Sequence, residues 1–301
     1  MKKAFTLVEM LIVIAIIGLL MAALVVHLRG GTESARSAQC LTNMKNLASA
    51  VTQYAQNSQH FALAGSVEKF KIDDSRGVRD IKERYYELPG WISWNSQGAY
   101  KSNPQSHIAN SGWFTSAYEQ DDIKRWYALT NGVIWKYMNG AASCYTCPNH
   151  LRKVSPAVKP FFSYVMNSNF GWDASLGGDA MPEQYYGEFF ADVKRPDKTL
   201  LFCELQWEQY TGKSPNFNKS PGTENDCTLQ YESSEGGETV GFNHKNGRDV
   251  VAHVVFADGH VEKLAWPSSG MSDSELRELT EWLCEGKDIS FNGKSYTKLK
   301  N

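Results

Sequence analysis

Met1-Lys2-Lys3-Ala4-Phe5-Thr6-Leu7-Val8-Glu9-Met10, followed by the apolar run from Leu11 to Val26, is the stretch whose reading decides this fold. Two lysines come first, and Thr6 and Glu9 are the only polar side chains between Ala4 and His27. About 20 apolar residues at 1.5 Å rise cross a bilayer core of roughly 30 Å. Residues 5–26 match that length. Lysines ahead of the span and a long polar region behind it place the extreme N-terminus in the cytoplasm and send the rest across. The same pattern also describes a secretory signal peptide removed near Ala22-Ala23. Glu9 bears on the choice. A carboxylate in an apolar span costs roughly 2.5–3.5 kcal/mol on insertion scales and marks function. A cut before Phe5 would supply a partner, because the new α-amino group would lie at similar depth, in the same subunit or a neighbour. A signal peptide gives no reason for a glutamate there. The residues alone leave both readings open.

Ala4-Phe5-Thr6-Leu7-Val8-Glu9 resembles the cleavage and methylation signal of type IV prepilins and type II secretion pseudopilins. The resemblance implies that prepilin peptidase removes a basic leader between Ala4 and Phe5 and that Phe5 is N-methylated. It gives Glu9 a role in assembly with other pilin or pseudopilin subunits, as a homo- or hetero-oligomeric filament. Ala4 departs from the family, where glycine usually precedes the cut. Ala is small enough for processing to be expected.

The implied organisation is a leader at 1–4, a transmembrane helix at 5–26, its amphipathic continuation at 27–60 and a head domain at 61–301. The expected fold class is α+β, a pilin-like arrangement in which a long N-terminal helix packs on a head with an antiparallel β-sheet. The implied location is the cytoplasmic membrane, crossed once, with the head in the periplasm or at the cell surface after assembly.

Composition suits this reading. The 301 residues leave room for one further domain, and a formal charge of −2 gives no reason to expect nucleic acid. Nine tryptophans, all between Trp91 and Trp282, fill a core or line a glycan-binding groove. Six cysteines in an exported head favour disulfides.

After the span, Leu41, Met44, Leu47, Ala48, Val51, Tyr54 and Ala55 share one helix face. Gly30-Gly31 is the weak point, at about 1 kcal/mol per glycine relative to alanine, and a flexible joint is expected there. Farther on, Trp91–Trp94, Phe161–Asn167 and Thr199–Glu204 read as strands. Residues 212–237 read as a surface loop, and Ser272–Cys284 as a closing helix with Leu276, Leu279 and Leu283 on its apolar side. Asp258-Gly259 between apolar runs signals a two-residue type I′ hairpin. That register puts Ala252, Val254, Phe256 and Val261 on the core face. It leaves His253, Val255, Ala257, His260, Glu262 and Leu264 on a partly wet face, with His253 opposite Leu264.

Three sets of residues invite chemistry. Cys144-Tyr145-Thr146-Cys147 suits a disulfide, a redox pair or a metal. A c-type haem is excluded because Pro148 and Asn149 separate His150 from Cys147, and a structural disulfide is the expectation for Cys144 and Cys147. The acidic stretch between Pro221 and Glu238 offers Glu224 and Asp226 as calcium candidates, although such loops are commonly just solvated. No cofactor is expected. The third set is His244 with Asp258 and Gly259. Cys40-Leu41-Thr42-Asn43-Met44-Lys45-Asn46-Leu47 and Phe242-Asn243-His244 with Phe256-Ala257-Asp258-Gly259-His260 are similar to segments of a large-headed prepilin subgroup. That subgroup carries a His, nine residues, Asp-Gly motif of unknown role. Here thirteen residues intervene, and the extra ones fall near Asn246-Gly247-Arg248-Asp249, where a longer loop is expected.

The function implied is a non-enzymatic structural subunit of a pilus or secretion pseudopilus. Two other classes are an adhesin or glycan-binding head displayed on a filament or anchored in the membrane, and a membrane-anchored metal enzyme using His244, His253, Asp258 or His260.

Overall fold

A computed structural model describes residues 7–58, 61–64, 90–93, 122–153, 160–170, 193–205, 227–229, 231, 238–246, 249–267, 270–288, 290–291 and 294–295. The first element is a single helix, α1, Leu7–Ser58, 52 residues long. It runs without a break through Gly30-Gly31, where a flexible joint was expected, and across the expected division at residues 26 and 27. From residue 7 to residue 21 every side chain is exposed. Among the described residues no helix is long and apolar enough to cross a membrane; side chains of the apolar run are described only as far as Met21.

The helix changes character at Ser37. From there Ser37, Cys40, Asn43, Met44, Leu47, Ala48, Val51 and Ala55 are buried in a stripe at helical spacing. Leu41 and Tyr54, expected on the same face, lie at its edges. A Cβ added at Gly31 meets nothing within 4 Å. Gly31→Ala should therefore stabilise this part of the helix by about 0.5–1 kcal/mol by removing backbone entropy from the unfolded chain. Slower amide exchange around residue 31 is the expected readout, and faster exchange would count against the unbroken helix.

The head is built on a mixed sheet. Its strands are β1 (Tyr164–Asn167), β2 (Leu200–Glu204), β3 (Thr228–Leu229), β4 (His244–Asn246), β5 (Asp249–Phe256) and β6 (Val261–Ala265). β5 is the hub: β2 and β4 follow one another along one edge, and β6 takes the other, all antiparallel. β1 pairs antiparallel with β2, but β3 runs parallel to β1, so the sheet is not purely antiparallel. The fold is α+β, as expected. A separate hairpin pairs Ser290–Phe291 with Lys294–Ser295.

Both faces of the sheet are covered. Phe202 and Val255 face a core shared with α1, while Cys203, Ala252, Val254, Phe256 and Leu264 face the opposite one. Helix α4, Asp273–Cys284, closes that second side with Leu276, Leu279 and Leu283, each contributing about 1.5–3 kcal/mol by burial. Its start is a capping box in which Ser272 and Glu275 satisfy each other's backbone N–H groups. On β5 the expected wet face is instead buried against α1, where Val255 and Ala257 join the core and His253 reaches Ser37, while Leu264, expected with them, faces the α4 side.

Three further expectations are corrected. The Asp258-Gly259 turn is not type I′: only Gly259 has positive φ, at 86°, and its N–H donates to the Phe256 carbonyl. The loop is three residues with the glycine as a bulge. The register therefore shifts by one, and His253 faces Lys263 rather than Leu264. Trp91–Ser93 is buried but forms no strand; Trp91 N–H donates to the Leu63 carbonyl and Ser93 N–H to that of Ala128. Cys227–Leu229, inside the expected surface loop, is buried and supplies β3.

Helix α2 (Asp122–Thr130) lies next to this segment. Gly132 follows it, and a Cβ there would stand 2.2 Å from the Trp91 carbonyl oxygen.

Candidate functional site

Ala4 and Phe5 lie outside the described residues, as do the calcium candidates Glu224 and Asp226. Glu9 sits in the first turn of α1 with its side chain exposed among apolar neighbours.

His244 and Asp258-Gly259 do not converge. His244 opens β4 opposite Val251, near the start of β5, whereas Asp258 lies beyond its end. The seven residue steps from Val251 to Asp258 separate them by roughly 20 Å at strand rise. Asn246 and Asp249 pair across the β4–β5 hairpin, and Gly247 and Arg248 between them lie outside the described residues.

Asp258 has a local task. Its Oδ1 accepts the His260 N–H at 3.0 Å and contacts the His260 ring, while its own N–H donates to the Pro196 carbonyl. Ala257 N–H donates to the Thr199 carbonyl, so the hairpin tip is docked on the Lys194–Thr199 turn. His260 also meets Glu262 at 3.2 Å and stacks on Phe256.

His244 instead enters a buried polar cluster between α1 and the sheet. Its Nε2 lies 2.7 Å from Glu204 Oε2 at the end of β2 and 3.6 Å from Cys147 Sγ. Asn149, on the short helix α3 (Pro148–Lys153), contacts His244 Nδ1 at 3.2 Å. From α1, Cys40 Sγ reaches Glu204 Oε1 at 3.5 Å and accepts the Tyr164 hydroxyl at 3.4 Å. His253 stacks on His244 with centroids 3.9 Å apart and its Nε2 is 3.0 Å from Ser37 Oγ. His253 Nδ1 and Asn149 Oδ1 are buried without a hydrogen-bond partner.

The electrostatics follow from this packing. Burial alone would raise the Glu204 carboxyl, but the charge and hydrogen bond of His244 outweigh it and hold Glu204 ionised. Burial opposes a charge on His244 too, and Glu204 more than compensates. His253 is pushed the other way, first by burial and then by the His244 charge beside it. Burial raises the Cys40 thiol. The cluster is a buried ion pair between two thiols, with a neutral histidine stacked on it.

The six cysteines are free thiols, so Cys144 and Cys147 are not bridged. The intervening residues turn them apart: Cys144 lies half-buried near Asn46, and Cys147 points into the cluster. Of the residues considered for a metal enzyme, His244 and His253 come together, and Asp258 and His260 stay at the far end of the hairpin. Sequence reading did not single out Glu204. The signal was a carboxylate closing the apolar strand Leu200-Leu201-Phe202-Cys203, which can be buried only beside a partner.

The described tryptophans divide. Trp91 is wholly buried, while Trp126 is 54% exposed and meets Trp135 edge-on.

A family model of the prokaryotic N-terminal methylation motif matches residues 1–25. No curated protein and no solved structure matches the chain.

Proposed function

We propose that this chain is a structural subunit of a type IV pilus or type II secretion pseudopilus, without enzymatic activity. Its leader would be cut between Ala4 and Phe5 by prepilin peptidase and Phe5 methylated. The mature chain would be held in the cytoplasmic membrane by residues 5–26, with the head in the periplasm, until its helix packs into a filament. The observation that carries this reading is the methylation motif at residues 1–25, set at the start of a 52-residue helix. The first part of that helix exposes one apolar side chain after another, and from Ser37 onward one stripe of it is buried in the head. A helix exposed at one end and built into a domain at the other can gain burial among its own kind without disturbing that domain. In this reading Glu9 pairs with the amine of Phe5, its own or a neighbour's.

The test is the N-terminal mass of the chain purified from membranes of a host with its prepilin peptidase. A chain beginning at N-methylated Phe5 is expected. One beginning near Ala23 would replace this reading with a secreted protein, and an intact Met1 would leave a plain anchor. Glu9→Ala is expected to yield a subunit that inserts and folds but enters filaments poorly. Normal incorporation would remove the role given to Glu9.

A further inference from the structure

The geometry points to a structural zinc site in the head, with Cys40, Cys147, Glu204 and His244 as four tetrahedral ligands. Zinc lies about 2.3 Å from sulfur and about 2.0–2.1 Å from nitrogen or oxygen, which sets S···N and S···O edges of a tetrahedron near 3.5 Å. The cluster already has two such edges. Cys147 Sγ is 3.6 Å from His244 Nε2, and Cys40 Sγ is 3.5 Å from Glu204 Oε1. Glu204 Oε2 also lies 2.7 Å from His244 Nε2, so the four groups form one chain of contacts, Cys40 to Glu204 to His244 to Cys147. Closing the site needs Cys40, Cys147 and His244 Nε2 each to release a proton to solvent, and His244 to draw back slightly from Glu204.

Cys40, Glu204, His244 and His253 also present donor atoms within 4.8 Å of one another. His253 is nevertheless the poorer fourth ligand. Its ring lies over that of His244 at 19° between planes, so one ion cannot lie in the plane of both rings unless one turns. Cys147 needs no such movement.

The surroundings suit a metal. All four side chains are buried, so the site has no open coordination position and is structural rather than catalytic. The Tyr164 hydroxyl donates to Cys40 Sγ, a bond that favours thiolate. Asn149 Nδ2 lies 3.2 Å from the other ring nitrogen of His244 and donates to Glu33 Oε1, which fixes the ring from behind. The ligands come from α1, from the segment before α3, and from β2 and β4. The ion would fasten the long helix to three parts of the head. This inference does not depend on the pilin-like reading.

The experiment uses the full chain, purified in detergent under reducing conditions from zinc-replete medium. About one zinc per chain by elemental analysis is expected, retained through gel filtration. Replacement by Co²⁺ should give thiolate-to-cobalt charge-transfer absorption. That absorption should fall in Cys40→Ser and Cys147→Ser and persist in His253→Gln. Tyr164→Phe should weaken zinc retention by about 10–100-fold while the ligands stay in place. A folded, metal-free chain that gives no thiolate band with Co²⁺ would overturn the proposal, as would a Cys40–Cys147 disulfide in the freshly purified protein. Loss of metal from His253→Gln with retention in Cys147→Ser would overturn the ligand set. The cobalt spectrum of the unaltered chain decides the matter even where a serine variant fails to fold.

Discussion

His244→Ala is expected to destabilise the head by about 3–5 kcal/mol, the usual cost of removing one partner from a buried ion pair. Glu204 would be left with no exposure to water and without the cation that holds it ionised. Cys147 would lose its contact with the ring, and His253 the ring on which it stacks. The comparison that separates charge from packing is the double variant Glu204→Met with His244→Phe. Replacing both charges by apolar groups of similar volume leaves no orphaned ion, so the double variant should recover much of the loss. Urea denaturation of the chelator-treated chain would measure the pair without any metal contribution. A domain of ordinary stability holds about 5–15 kcal/mol, so the single variant should shift the midpoint by more than about 1 M. A loss below about 1 kcal/mol would show that Glu204 and His244 are not a buried pair.

Trp91→Ala is expected to cost a similar amount, about 3–5 kcal/mol for a buried aromatic. The indole is fully buried, stacks on Tyr145 at 11° and meets Phe202 edge-on at 4.9 Å. Its Nε1–H also donates to the Cys227 carbonyl at 3.1 Å, tying the segment after Gly90 to the start of β3. Truncation therefore opens a cavity among three aromatic elements and removes one of the two donors to the Cys227 carbonyl, which keeps the Met166 N–H. Trp91→Phe should lie between the two, since it keeps most of the volume and loses the N–H. Near-UV circular dichroism and urea midpoints would report both. Equal stability of the phenylalanine and alanine variants would contradict a role in packing.

Much of the architecture was legible because it is local. The helix over residues 34–58 has an apolar stripe of period 3.6, and a stripe of that width needs only a surface to cover it. The closing helix was legible in Leu276, Leu279 and Leu283, all buried as read, whereas the capping role of Glu275 was not read. The hairpin around Asp258-Gly259 was legible as a hairpin, but its type was not. One positive φ or two is settled by how the strands dock on the Pro196 turn, and that one-residue difference moved His253. The buried strand Thr228–Leu229 carried no periodic signal, because two residues are too few to show one.

By itself the sequence determined the N-terminal processing motif, the long helix with its exposed first part and buried second part, and the α+β class. These depend on neighbours within a turn or two of chain, where residue type and spacing act directly. Only the tertiary structure decided that the sheet is covered on both faces and that His244 and Asp258 belong to different ends of it. It alone brought Cys40, Cys147, Glu204 and His244, which span more than 200 positions of the chain, into one buried cluster. Each lies in a segment whose local pattern is complete without the others. Their meeting follows from the crossing of α1 over β2 and β4, which no short stretch of sequence encodes.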